Sequence, residues 1–304
     1  MNTRKRSYKI FRMTALGILT IVVFSVTIIT SYQYLRVTLA APYTPASMPL
    51  NLEIVGSGDK DLVFIHGLTG SKNYWKRDLD AISGTHKLLL VDLLGFGDSP
   101  KPNSDYSLEM QVGALEATIS REGFDGGRTV LVAHSMGTVI ALALLEKHPD
   151  WFKGAITIGT PVYKDMEEFN DIMSEHSLFD RLTANKYSKY LCLLHPIFMT
   201  RIFKPDNLSD EVFADANKHT WQSYYNSLNE IILDTDLYAI ARNIGNKKVV
   251  FIHGDQDTTA PLVNAVKLAN TVSNAEFLTV NGGDHQLFLK DPNIVWKAVT
   301  DFFG

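Results

Sequence analysis

The chain has a single cysteine, Cys192, in 304 residues, which excludes an internal disulfide framework and any multi-cysteine zinc or iron–sulfur centre. Charge is sparse too. Only 20% of residues are charged and the formal net charge is −4, so overall charge gives no case for binding nucleic acid. The 45% apolar share excludes a disordered tail or a collagen-like fibre, and there is no internal repeat or low-complexity tract. The length leaves room for one large domain or two modest ones. Acidic residues are missing altogether from the first 36 positions, where Arg4, Lys5, Arg6, Lys9, Arg12 and Arg36 lie. Setting those six aside leaves 23 Lys and Arg against 33 Asp and Glu, so residues 37–304 carry −10. A mean hydropathy near zero therefore averages two unlike parts.

The 23 residues from Met13 to Leu35 hold no charge and centre on the apolar run Leu16–Phe24. As a helix rising ~1.5 Å per residue, they cover about 34 Å, enough to cross a ~30 Å hydrocarbon layer. Tyr32 and Tyr34 stand at the outer end, where amphipathic rings favour the membrane interface. Five basic residues precede the run. The expected arrangement is a cytoplasmic segment 1–12, an uncleaved transmembrane signal anchor 13–35, and a remainder translocated to the exterior or a lumen. A signal peptide cleaved after Thr38-Leu39-Ala40, giving a secreted product, is the alternative, and a buried core helix is a third reading. Residues 36–50, with Pro42, Pro45 and Pro49, read as a stiff extended linker.

Over residues 51–304 short β-branched runs alternate with helical stretches, the pattern of a mostly parallel sheet covered by helices. Leu62–Ile65, Lys87–Val91, Thr129–Ala133, Ala155–Ile158, Lys248–Ile252 and Glu276–Val280 are predicted strands, buried on both faces where the run is continuously apolar. Met136–Lys147 and Ile294–Phe303 are predicted helices. The alternation breaks at about 163–236, which reads as a helical insertion rich in aromatics: Phe169, Phe179, Tyr187, Tyr190, Phe198, Phe203, Phe213, Trp221, Tyr224 and Tyr225. These form the insertion's own small core or line an apolar cavity over the sheet.

Four loops after strands hold chemistry, where parallel sheets place it. In Val130-Leu-Val-Ala-His-Ser135-Met-Gly137 a strand runs straight into a serine and a helix follows at once. Such a turn strains the serine backbone, and small residues two before and two after let the flanking chains approach. The usual glycine before the serine is here Ala133, still small. An ordinary helix N-cap is the bland reading of Ser135. The loop Phe64-Ile-His66-Gly67-Leu68-Thr69-Gly70 can direct the Leu68 N–H at a developing oxyanion, with the N–H of Met136 as second donor. His66 there reads as a loop-shaping residue, not a base. After the fifth run come Asp255 and Asp257; either could orient a histidine, and spacing does not choose between them. His285, in the Gly-rich loop after the last predicted strand, completes the order serine, acid, histidine.

With these four motifs in this order, the sequence resembles the α/β-hydrolase family, specifically its serine esterases, lipases and acyl hydrolases, over residues 51–304. Asp92-Leu-Leu-Gly95-Phe-Gly97-Asp-Ser99 looks like the family's structural Asp-x-x-Gly-x-Gly-x-Ser segment. The family's Gly-x-x-Asp-x-x-x-Pro pattern falls on Gly254, Asp257 and Pro261, which selects Asp257 over Asp255. The insertion at about 163–236 falls where the family has its cap. The resemblance implies a Ser135–His285–Asp257 triad with an oxyanion hole at Leu68 and Met136, and no metal or organic cofactor. Serine in the elbow argues against the family's epoxide hydrolases and haloalkane dehalogenases, whose nucleophile is an aspartate.

The expected function is hydrolysis of carboxylic esters through an acyl-enzyme. An aromatic-rich cap beside a bilayer favours lipid-like or medium-chain acyl esters. Thioesterase, amidase, peptidase or perhydrolase chemistry would use the same groups, and a non-hydrolytic ligand-binding or signalling protein could share the fold. The −10 charge of residues 37–304 speaks against nucleic acid. Asn207-Leu208-Ser209 fits a glycosylation acceptor, and Cys192 reads as cap packing.

Overall fold

The computed structural model describes residues 2–175, 192–194, 204 and 208–304. Asn207 and the aromatics Phe179, Tyr187, Tyr190, Phe198 and Phe203 lie outside the described residues. Strands β1 (Leu52–Val55), β2 (Lys60–Ile65), β3 (His86–Val91), β4 (Thr129–His134), β5 (Phe152–Ile158), β6 (Lys248–Gly254) and β7 (Ala275–Val280) form one sheet in the order β1-β3-β2-β4-β5-β6-β7. All neighbours are parallel except β1, which pairs antiparallel with β3. The six predicted strands are all present, most starting one to three residues earlier. β1 was not predicted. It is a four-residue, half-buried edge strand, too short for a continuous apolar run to announce it.

Alternation along the strands divides the core. Val63, Ile65, Leu89, Val91, Leu131 and Ala133 face one layer, built on helices Leu108–Arg121, Met136–Lys147 and Leu262–Ala269. Leu62, Phe64, Leu88, Leu90, Val130 and Val132 face the other, with Trp75, Phe288 and Trp296 of the C-terminal helix Asn293–Phe303. Full burial of such a side chain stabilises by about 1.5–3 kcal/mol, so a one-residue slip of β2 or β4 would forfeit both layers. Between β5 and β6 stand the helices Met166–Glu175, Asp210–Ala216, Trp221–Ser227 and Leu237–Asn243, with a π-helical turn at Leu228–Leu233.

The chain passes from β2 to β3 on one side, then returns across β2 to lay down β4 on the other. That reversal opens a crevice at the carboxyl ends of β2 and β4, where ligands bind in such sheets.

Upstream, the helix Asn2–Thr38 runs three residues past the expected end of the apolar run, so Arg36–Thr38 are helical and not linker. The remainder of the linker is not uniformly extended either. Both Ser47 and Met48 donate to the Thr44 carbonyl in a turn, and Tyr43 packs against the core. Apolar contact outweighs proline stiffness here.

The Asp92 segment braces the base of the site. The Asp92 carboxylate accepts N–H groups from Lys72 at 2.6 Å, Asp98 at 2.9 Å and the Asn51 side chain at 2.7 Å. A Cβ on Gly97, at φ +48°, would lie 2.4 Å from the Asp92 carboxyl carbon, so only glycine fits. Asp92→Ala strands these buried donors and is expected to cost about 3 kcal/mol, read as a lower urea midpoint.

Candidate active site

Ser135 sits between the last residue of β4 and the first of helix Met136–Lys147, with φ 49° and ψ −125°. A non-glycine residue at positive φ is strained, and the surroundings hold it there. Its N–H donates to the Ile158 carbonyl at 2.9 Å. A Cβ on Gly137 would meet the Ile65 and His66 carbonyl oxygens at 2.5 and 2.6 Å, and one on Gly67 would meet the Ser135 Cβ at 2.9 Å. The end of β2 therefore lies directly against the serine turn. Ala133 is fully buried and paired with Ile65 and Thr157 in the sheet, so its methyl group is accommodated where glycine is usual.

Loops after β6 and β7 bring two further groups to the serine. His285 Nε2 lies 3.0 Å from Ser135 Oγ, and its Nδ1 lies 2.8 Å from Asp257 Oδ2. The other Asp257 oxygen accepts the N–H groups of Thr259 and Ala260 at 2.9 and 2.8 Å. Burial pushes the Asp257 carboxyl up, but the His285 hydrogen bond and charge, with the Ala260 N–H, hold it below its ordinary value. Asp255 points elsewhere: it is exposed and accepts the Gly282 N–H at 2.7 Å. The structure thus brings together Ser135, His285 and Asp257, and leaves Asp255 out.

Leu68 lines the cavity beside Ser135. His66 is a brace for this loop: its Nε2 accepts the Leu93 N–H at 2.9 Å, so its Nδ1 carries the hydrogen and donates to the Gly67 carbonyl at 2.7 Å. Met136 opens its helix, where an N–H has no acceptor within the helix. Leu68 and Met136 thus come next to the serine from separate elements. The geometry suits proton removal from Oγ by an imidazole backed by a buried carboxylate, and stabilisation of an oxyanion. Among the described residues no group of three or more His, Cys, Asp and Glu side chains is arranged to hold a metal ion.

Two supports escaped sequence reasoning. His134 Nε2 donates to the His285 carbonyl at 2.8 Å, and the two rings are 4.9 Å apart. Burial, then the nearby His285 charge, push His134 down to about 3, which keeps it neutral. Gly159, at φ +59°, brings its Cα so near that a Cβ would lie 3.1 Å from His285 Nδ1. A glycine directly after the fourth predicted strand was the available signal.

Above these groups is a cavity of about 360 Å³. Its far wall comes from the β5–β6 helices, through Phe169, Met173, Tyr224, Leu228 and Ile232. Phe169, Met173 and Leu228 form a small apolar cluster of their own.

A family model described as alpha/beta hydrolase fold matches residues 61–292. The chain is 26% identical over 281 residues to the probable lysophospholipase BODYGUARD 1 of Arabidopsis thaliana, covering 79% of this chain and 60% of that protein. It thus spans about three fifths of that plant relative's length. It is also 23% identical over 273 residues to 2-(acetamidomethylene)succinate hydrolase of Mesorhizobium japonicum, covering 83% and 91%. Among solved structures, a bromoperoxidase from Bacillus anthracis superposes with a TM-score of 0.67 at 20% identity, covering 87% of this chain and 99% of that one. The enol-lactonase from Burkholderia xenovorans LB400 gives 0.66 at 22%, covering 86% and 99%. At these identities the structures share the fold.

Burial lowers His66, His134 and His253 from an ordinary 6.5. Because the folded values lie below the unfolded one, their contribution is complete above pH 6.5 and is lost as pH falls from there toward the folded values. Urea midpoints should therefore decline between pH 6.5 and 5. His134→Gln, which cannot titrate, should flatten that decline by up to about 1.4 kcal/mol per pH unit. An unchanged slope would mean His134 does not titrate on unfolding.

Proposed function

Because the chain belongs to the α/β hydrolase fold family, we propose that it is a serine hydrolase of carboxylic esters, held in a membrane by its N-terminal helix. The observation that carries this is the continuous chain from Ser135 Oγ through His285 to buried Asp257, at 3.0 and 2.8 Å, under an apolar cavity.

In this reading His285 Nε2 takes the Ser135 proton as Oγ attacks the acyl carbonyl. Asp257 holds Nδ1–H and stabilises the imidazolium. The Leu68 and Met136 N–H groups receive the oxyanion. The imidazolium returns its proton to the leaving alkoxide, giving an alcohol and a Ser135 ester. Water, deprotonated by His285, then releases the acid and restores the serine.

The β5–β6 helices act as a cap whose apolar wall receives the acyl chain. An apolar wall and the plant relatives' lysophospholipase names together support a single-chain lipid ester as substrate. For the membrane reading, the support is a strongly apolar helix over Ser7–Thr38 whose most apolar stretch is not buried by any of the described residues. Its far end, by contrast, belongs to the folded domain, with Val37 only 1% exposed. Cleavage after Ala40 would remove that core residue, which favours a retained anchor over a signal peptide. The basic N-terminal segment then lies on the cytoplasmic side and the hydrolase domain opposite.

A fluorophosphonate probe should label the full chain, and Ser135→Ala should abolish labelling. On p-nitrophenyl esters from acetate to palmitate, Ser135→Ala and His285→Ala should lower kcat by at least about 10³-fold, and Asp257→Asn by about 10⁴-fold. Labelling without turnover on any of these esters would instead indicate a ligand-binding protein on this fold.

A further inference from the structure

The last turns of the N-terminal helix pack on the cap helix Trp221–Ser227 and on residues beside it, and the Thr38 carbonyl accepts from the Asn103 side chain at 3.4 Å. Tyr34 stacks on Trp221 with ring centroids 6.1 Å apart and planes 9° from parallel. One Arg36 Nη donates to the His219 carbonyl at 3.3 Å. Val37 is buried in a cluster with Cys192 and Trp221. Tyr224, one turn beyond Trp221, packs against this cluster and against the Phe169–Met173–Leu228 cluster, and it lines the cavity. Among the described residues, Trp221 and Tyr224 connect the helix to the cavity wall.

The opposite side of the same cap helix is fixed to the loop after β3. Ser223 Oγ donates to the Gly95 carbonyl at 3.0 Å, and a Cβ on Gly95 would lie 2.5 Å from the Ser223 Cβ. Nearby, Asp215 accepts from Ser71 Oγ and Asn73 Nδ2, each at 2.7 Å, which ties the preceding cap helix to the loop after β2. The cap therefore lies between two supports, the loops after β2 and β3 and the N-terminal helix.

Distance along that helix sets where the cap sits. The uncharged run ends at Leu35, and Val37 is two residues on, a rise of about 3 Å. The polar layer outside the hydrocarbon is about 5–7 Å thick on each side. Whatever packs on Tyr34 and Val37 thus lies within the headgroup layer, where tryptophan is favoured. Leu39, 79% exposed, lies at the same level.

We infer that the end of the N-terminal helix is a structural part of the cap, and that it seats the cap in the lipid headgroup layer so that single-chain acyl lipids enter the cavity from the leaflet. This rests on the membrane-anchored esterase reading above and adds to it a route of entry. A helix serving as a tether alone would leave the cavity to be loaded from water.

The test uses the full chain in phosphatidylcholine vesicles. Retention in the pellet after alkaline carbonate checks the span, and loss of hydrolysis in Ser135→Ala checks the esterase, each apart from the present inference. Brominated phosphatidylcholine should quench tryptophan emission, and Trp221→Phe should remove most of that quenching. Trp75 and Trp296 are buried in the core, and Trp151 precedes β5, at the sheet end opposite the site. Tyr34→Ala and Val37→Asp should raise KM for vesicle-borne lysophosphatidylcholine about tenfold. The same variants should leave kcat/KM on soluble p-nitrophenyl acetate within about twofold. Unchanged quenching in Trp221→Phe overturns the placement. Lipid and soluble substrates moving together, or neither moving, overturns the route of entry. Should Val37→Asp fail to fold, Tyr34→Ala and the quenching measurement decide.

Discussion

The close approach of two backbone segments, the end of β2 and the turn after β4, is the constraint on which the rest of the site depends. Ser135 holds a positive φ because the Ile65 and His66 carbonyls press against Gly137 and because Gly67 presses against the serine itself. A side chain at either glycine would push the strand ends apart. The same contact brings the loop that holds Leu68 against the turn that holds Ser135 and Met136.

Around this contact the site is arranged to contain a single buried charge that matters for reactivity. Asp257 is ionised against the cost of burial, since His285 and two backbone N–H groups face it. His66, His134 and His253 are kept neutral by burial, and each bonds a backbone group through at least one ring nitrogen. Three histidines thus shape loops, while His285 joins a hydroxyl to a carboxylate. Ring chemistry is the same in all four; their neighbours differ.

Much of this was legible in the residues. Continuous apolar runs mark strands buried on both faces, which is why β2 to β6 could be read; β7, a half-exposed edge strand, was read from its β-branched and aromatic residues, and the short edge strand β1 was not. The choice of Asp257 over Asp255 needed a family pattern, because two acids two residues apart look alike until the chain turns. His134 was invisible for a different reason: a ring that bonds to the backbone of a residue 151 positions away has no local signature. The seating of Tyr34 and Val37 on Trp221 was hidden likewise, since a tyrosine at the end of an apolar run is equally at home against lipid or protein.

The order of elements along the chain carries one more consequence. Ser135 and the β2 loop precede the cap, whereas Asp257 and His285 follow it, and Ser135 and His285 are 150 residues apart. At a synthesis rate of about 5–20 residues per second, the serine exists for about 8–30 s before the histidine is even made. During that interval the serine has neither the imidazole nor the carboxylate that face it in the folded chain, and the three groups meet only once the loops after β6 and β7 are in place.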